Sequence, residues 1–268
     1  MLEFVVLTNT FCHMSNIGLK KEIDLWRQGV LTWRDYRKHF PESNCLDKSE
    51  EHLSNKNPSF FAGVLDSDQY WRLVPDFRDS IAYIDIETTG LSKDYNEITT
   101  IALYDGKDVH TYVNGQNLAK FKTDIQQYKM IVTYNGKTFD VPFIEKYFGI
   151  QLEHVHIDLR YLLKNLGLTG GLKMIEYKLG IDRGDLRAVD GFFAVTLWRE
   201  YQRNKNAHAL ETLLAYNCAD VVNLEYLLLH VFNKNLESTP FQSQKILHSA
   251  ARVTIPFQAD KKLIERLS

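Results

Sequence analysis

Two carboxylates, Asp85 and Glu87, stand two residues apart in the run Ile81-Ala82-Tyr83-Ile84-Asp85-Ile86-Glu87-Thr88-Thr89-Gly90. The Ile- and Tyr-rich half has the composition of a β-strand, and the Thr-Thr-Gly end reads as a polar turn. Side chains alternate across a strand, so both acids point to one face. Two anions at the end of an apolar strand repel each other and resist burial. Such a pair calls for a positive partner, and one or more divalent metal ions are the expected one.

Three further acids bear on the same chemistry. Asp140 stands in Tyr134-Asn135-Gly136-Lys137-Thr138-Phe139-Asp140-Val141-Pro142-Phe143, where a strand exits through an Asn-Gly turn into a helix. An aspartate in a first helical turn is favoured by the helix dipole, which alone accounts for it. Strand ends and first turns are also where α/β sheets build their sites. Asp220 lies four residues after Tyr216 in a Leu-rich helical stretch, so the two share a helical face. Its apolar neighbours point to a buried aspartate in need of a partner. His154, His156 and Asp158 alternate along one strand face, a spacing that a metal triad or a hydrogen-bonded structural cluster would share; the cluster is the expected case.

The bulk properties are those of a water-soluble globular chain. It has 268 residues, with 44% hydrophobic and 25% charged content. A formal net charge of −2 argues against a strongly basic surface that coats nucleic acid, though not against a local basic groove. Cys12, Cys45 and Cys218 are odd in number and far apart, which fits neither a disulfide framework nor a zinc site and suits a reducing cytoplasm. No signal peptide and no membrane-spanning run are expected.

The elements that must position the acids follow from periodicity. Residues 1–76 read as a small helical region, after a short apolar start at Phe4-Val5-Val6-Leu7. Helices are expected over 19–28, from Thr32 through His39 with a Thr32/Asp35 capping box, and over 66–73. Gly18 and Gly29 loosely resemble a helix-hairpin-helix that would hold a phosphate on backbone N–H groups; a small helical cap is the plainer expectation. Residues 77–235 change to strands over 81–87, 97–104 and 109–113, expected as an antiparallel meander, with further strands over 130–134 and 154–159. Between and after them come helices over 118–128, 138–148, 161–166, 172–179, 192–203 and 210–232. This is an α/β mixed sheet of three antiparallel strands followed by alternating helix and strand. Residues 236–268 read as a loose tail with one basic helix near Lys261–Arg266.

Asp85-x-Glu87, Asn135-x-x-x-Phe139-Asp140 and Tyr216-x-x-x-Asp220 resemble, in order and in element type, the three signature motifs of the DEDD superfamily of 3′→5′ exonucleases. The third motif is similar to that of the tyrosine branch, seen in proofreading domains of family B DNA polymerases. Thr88-Thr89-Gly90-Leu91 is also reminiscent of the histidine branch, so the branch rests on Tyr216. The wider chain, including Leu172-Lys173-Met174-Ile175-Glu176, resembles stand-alone YprB-type proteins.

The resemblance implies a ribonuclease-H-like fold with helices on both faces. It implies two divalent ions, Mg²⁺ or Mn²⁺, roughly 4 Å apart, hydrolysing the 3′ end of single-stranded DNA or RNA. Asp85 would bridge the ions, Glu87 and Asp220 would complete one site, and Asp140 would hold the second. Tyr216 would orient the attacking water, since a phenol with a pKa of about 10 is a poor base at neutral pH. Thr88, Thr89, Gly90 and Leu91 would contact the terminal nucleotide. Asn135 would contact substrate or hold its own turn, and Lys173 would reach a phosphate or stay solvated. Phe60, Phe61, Tyr70 and Trp71 could stack on bases or fill the core. Alternatives of other classes are a structure-specific endonuclease with the same site, and a non-catalytic nucleic-acid-binding adaptor.

Overall fold

The protein is described from a computed structural model covering residues 6–246 and 253–268. Phe4 and Val5 of the expected apolar start lie outside the described residues.

The Ile- and Tyr-rich run forms β1 (Ile81–Thr88). It pairs antiparallel with β2 (Ile98–Tyr104), and β2 pairs antiparallel with β3 (Val109–Val113), which is the expected meander. On the other side β1 pairs parallel with β4 (Met130–Thr133), and β4 pairs parallel with β5 (Val155–Asp158). The order β3-β2-β1-β4-β5 puts the acid-bearing strand in the middle. The register shifts between Glu87 and Thr88: Glu87 pairs with Thr100 and Thr88 with Ile98, so one residue of β2 is bulged out beside the acids.

Strand alternation divides the apolar residues between two cores. Ala82, Ile84 and Ile86 pack with Ile101, Leu103, Phe121, Phe143 and Ile144 on one face. Ile81 and Tyr83 pack with Ala102, Tyr104, Met130 and Val132 on the other. Asp85 and Glu87 have the parity of Ile81 and Tyr83, so they too lie on that second face.

The N-terminal elements are α1 (Leu19–Arg27), α2 (Trp33–His39), α3 (Asp47–Ser54), α4 (Pro58–Ala62) and α5 (Val74–Phe77). They share the core of the second face through Trp26, Trp33, Phe61 and Trp71. A buried ion pair fixes them: the Arg72 guanidinium donates to Glu22 Oε2 at 2.8 Å, and Glu22 Oε1 accepts the main-chain N–H groups of Phe11 (2.6 Å) and Cys12 (3.0 Å). The Thr32/Asp35 capping box forms as expected. It consumes the N–H groups of Thr32 and Asp35.

The remaining helices are α6 (Phe121–Asp124), α7 (Asp140–Phe148), α8 (Leu159–Asn165), α9 (Leu172–Lys178), α10 (Gly191–Asn204), α11 (Ala207–Leu236) and α12 (Lys261–Leu267). At about 1.5 Å per residue the 30-residue α11 runs about 45 Å. It crosses the second face over β1 and β2 and is flanked by α10. Cover from the sheet on one side and helices on others explains why it is apolar nearly all round. Among the described residues no helix is long and apolar enough to cross a membrane.

Several sequence expectations are corrected. The helix expected over 118–128 is three short turns, Leu118–Lys120, Phe121–Asp124 and Ile125–Gln127. Leu118, Phe121 and Ile125 mimic a helical period, but each is fixed separately in the core, and Asp124 is drawn to the Tyr112 hydroxyl at 3.0 Å. The helix over 66–73 is a 3₁₀ helix, Ser67–Leu73. The tail is not loose where it is described. Phe241 meets Trp26 edge-on, and Leu263 and Ile264 are buried against α10 and α11. Of the aromatics considered for base stacking, Phe61 and Trp71 are buried and Phe60 and Tyr70 pack on the same core, so packing fully accounts for them.

Candidate active site

A cavity of about 360 Å³ opens where β1 ends. Asp85, Glu87, Asp140, Tyr216 and Asp220 all line it. Each arrives from a separate structural decision. β1 alternation aims Asp85 and Glu87 at α11. The turn after β4 delivers Asp140 at the first position of α7. One helical face of α11 presents Tyr216 and Asp220.

The turn before Asp140 is tightly specified. Asn135 takes a left-handed φ of +65°, which asparagine tolerates better than most residues. A Cβ on Gly136 would lie 2.4 Å from Thr133 Oγ1, so only glycine fits. Asp158 anchors the turn by accepting the N–H groups of Asn135 (2.8 Å) and Lys137 (3.0 Å). His156 bonds Thr133 at 2.8 Å and His154 bonds the Ile125 carbonyl at 3.0 Å. His154, His156 and Asp158 are thus each hydrogen-bonded in a structural role, to separate neighbours. Asn135 holds its own turn through Thr138 (3.1 Å) and Arg160, and it also faces the cavity.

Oxygens of Asp85, Glu87 and Asp220 lie within 4.8 Å of one another, with one ligand atom available from each. Asp140 is outside that trio; its Oδ1 accepts the Ile86 N–H at 3.2 Å. Burial raises the pKa of all four acids; repulsion from neighbouring site acids adds to it at Asp85, Glu87 and Asp140, whereas Arg183 opposes it at Asp220. Asp140 is pushed up to about 7 and Asp220 to about 6, while Asp85 and Glu87 rise well above the carboxylate range. A compact all-oxygen donor set whose ionised form is this unfavourable fits a hard divalent cation. Burial also pushes the Tyr216 phenol far up, and the charges of Asp220, Glu87 and Asp85 push it further, so its proton stays on at neutral pH.

Three contributors escaped the sequence reading. Arg183, 5% exposed, sits between Glu176 and Asp220 and bonds both, its guanidinium 5.2 Å from the Tyr216 ring centre. Glu176 is fully buried on α9, and Asn223 donates to its second oxygen at 2.7 Å. A glutamate at the apolar spacing of Leu172, Ile175 and Leu179 was the available signal that a buried cation was needed. Asn217, next to Tyr216, is fully buried and bonds Asp85. A polar amide among leucines in mid-helix was its signal. Phe192, at the start of α10, lines the cavity yet is 78% exposed.

The expected substrate-contacting residues divide. Thr88, Gly90, Leu91 and Asn135 line the cavity. Thr89 does not. Its N–H donates to the Glu97 carbonyl at 2.9 Å and its hydroxyl accepts the Glu97 N–H at 3.0 Å, which continues the pairing of β1 with the chain leading into β2. Lys173 lies in an adjoining hollow with Tyr177 and Arg183, its ammonium 5.3 Å from the Tyr216 ring centre. Burial lowers its pKa, and nearby Arg183 lowers it further.

No curated protein matches the sequence. Among solved structures, the family B DNA polymerase from the hyperthermophilic archaeon Pyrobaculum calidifontis is 15% identical, with a TM-score of 0.45 over 63% of this chain and 27% of the polymerase. This chain therefore spans about a quarter of that polymerase. Brucella melitensis NrnC bound to pGG is 18% identical, with a TM-score of 0.43 over 72% of this chain and 84% of NrnC. The same Brucella protein with bound Mg²⁺ is 19% identical, with a TM-score of 0.42 over the same shares. The profile of the RNase_H superfamily matches residues 82–232, from the second residue of β1 almost to the end of α11. That span takes in all four carboxylates and Tyr216, and on it the chain belongs to the RNase_H superfamily.

Proposed function

We propose that the chain is a metal-dependent 3′→5′ exonuclease that hydrolyses single-stranded nucleic acid. The observation that carries the proposal is the meeting of four carboxylates from β1, α7 and α11 in one cavity, with Glu87, Asp140 and Asp220 buried, Asp85 half-buried, and three of the four within 4.8 Å. Asp85, Glu87 and Asp220 would hold one cation, and Asp140, across from Asp85, would hold a second. Bound divalent ions supply charge neutralisation at phosphorus and a water acidified for attack. The Tyr216 hydroxyl, kept protonated, would donate a hydrogen bond to aim the attacking water, and the Glu87 carboxylate would accept its proton.

The rim suits an unpaired end. Leu91 and Phe192 are 75% and 78% exposed at the cavity, and such apolar surface beside buried acids offers platforms for bases. Stacking on one aromatic is worth about 1–3 kcal/mol per base. Phe192→Ala is therefore expected to raise KM about tenfold or more on all sequences alike, with kcat little changed. An unchanged KM removes Phe192 from the substrate path.

The deciding assay uses 5′-labelled DNA and RNA oligonucleotides, free or blocked at the 3′ end, with Mn²⁺, Mg²⁺ or a chelator. The expected result is a ladder shortening from free 3′ ends, only with metal. Cleavage of blocked strands identifies an endonuclease, and intact strands of both kinds under every condition leave a binding protein.

A further inference from the structure

We propose that Asn217, oriented by Thr100, is a positioning residue that sets which oxygen of Asp85 is offered to a cation. The proposal rests on the metal-binding reading of the carboxylates above.

Asn217 lies on the sheet-facing side of α11 and Thr100 on β2, both fully buried. Asn217 Nδ2 donates to Asp85 Oδ2 at 2.7 Å and to the Asp85 main-chain carbonyl at 3.2 Å. Asn217 Oδ1 accepts the Thr100 hydroxyl at 3.0 Å. All polar capacity of the amide that points at the sheet is thus spoken for. Its orientation is forced: a flipped amide would set its oxygen against both acceptor oxygens of Asp85. The Thr100 hydroxyl, donating to Oδ1, supports this orientation and holds the amide in place. Thr100 is the cross-strand partner of Glu87, so β2 braces β1 at the height of the acids.

The effect on Asp85 is directional. With Oδ2 committed to Asn217, Oδ1 is the oxygen left for the cluster with Glu87 and Asp220. The hydrogen bond also favours the ionised carboxylate in a place where burial opposes it. Partners that orient a metal ligand through its second atom typically contribute about 10–100-fold in metal affinity.

The test is Mn²⁺ titration of the full chain by calorimetry, without nucleic acid, alongside thermal melts in chelator. The variants are Asn217→Leu, Thr100→Val and the double variant. Asn217→Leu is expected to weaken Mn²⁺ binding about 10–100-fold. Thr100→Val, which replaces one buried hydroxyl by a methyl, is expected to weaken it in the same direction. The double variant is expected to bind no more weakly than Asn217→Leu, because the side-chain hydrogen bond that Thr100→Val removes is made to Asn217. If Asn217→Leu does not fold, Thr100→Val alone decides the matter. Wild-type Mn²⁺ affinity in Thr100→Val, or losses that add in the double variant, overturns the proposal. A structural brace would lower the melting temperature and leave Mn²⁺ affinity unmoved. Wild-type protein that binds no Mn²⁺ at all defeats the metal reading itself, a distinguishable failure.

Discussion

Asp85→Asn is expected to lower the hydrolysis rate about 10³-fold or more, while making the metal-free protein harder to unfold. The two effects share one cause. Asp85 is crowded by Asp140, Asp220 and Glu87 on the second face of the sheet, and both burial and repulsion disfavour its charge. Asparagine keeps the shape and still accepts from Asn217, but it supplies no charge to a cation. Losing one preorganised electrostatic contact in a dry site costs about 10²–10³ in rate, and a carboxylate proposed to hold cations on both its sides should sit at the upper end. Relief of the burial and repulsion that oppose its charge is expected to raise stability in chelator. Single-turnover assays with saturating Mn²⁺ and urea unfolding in chelator measure the two halves. A variant with wild-type rate rules Asp85 out of the chemistry. One that is inactive and unstable shows only a folding defect.

A second large effect is the pH dependence of the chelated protein. Unfolded, the Asp140 carboxyl releases its proton near pH 4; folded, burial holds that proton to about pH 7. Between those values the folded state binds more protons, so this group's stabilising contribution is complete below pH 4. It is lost as pH rises toward 7. Asp220 behaves likewise over a narrower window, to about 6. This slope is opposite to that of an ordinary ion-paired carboxylate. Asp140→Asn should therefore gain on wild type, by on the order of 3 kcal/mol, between pH 4.5 and 7.5. Denaturant unfolding of both proteins in chelator tests it, and parallel curves would sink it. At pH 7.5, Mn²⁺ at a hundredfold excess over its Kd should return about 2.7 kcal/mol to wild type.

How the carboxylates tolerate one another without metal is a matter of partners. Arg183 gives Asp220 a cation that is itself held by Glu176, and Asn223 fixes Glu176. Asn217 steadies Asp85, and the Ile86 N–H steadies Asp140. Each of these acids thus has at least one oxygen bonded to the protein, so the site is preorganised rather than assembled by a ligand.

The sequence by itself determined the strand order of the meander, the shared face of Asp85 and Glu87, and the shared face of Tyr216 and Asp220. These follow from the periods of two and 3.6, which act over a few residues and need no tertiary information. The capping box at Thr32 and the turn at Asn135-Gly136 were legible for the same reason. Only the tertiary structure decided the rest. Arg183 lies 37 positions from Asp220, and Thr100 lies 117 from Asn217. Bonds of that span depend on how helices dock on the sheet, which no local pattern encodes. Thr89 was expected, with Thr88, Gly90 and Leu91, to offer a backbone N–H to the terminal nucleotide; its N–H and hydroxyl are both bonded to Glu97, a partner eight residues on. The broken run over 118–128 and the packed end of the chain have the same origin. Core contacts, not local propensity, set their form.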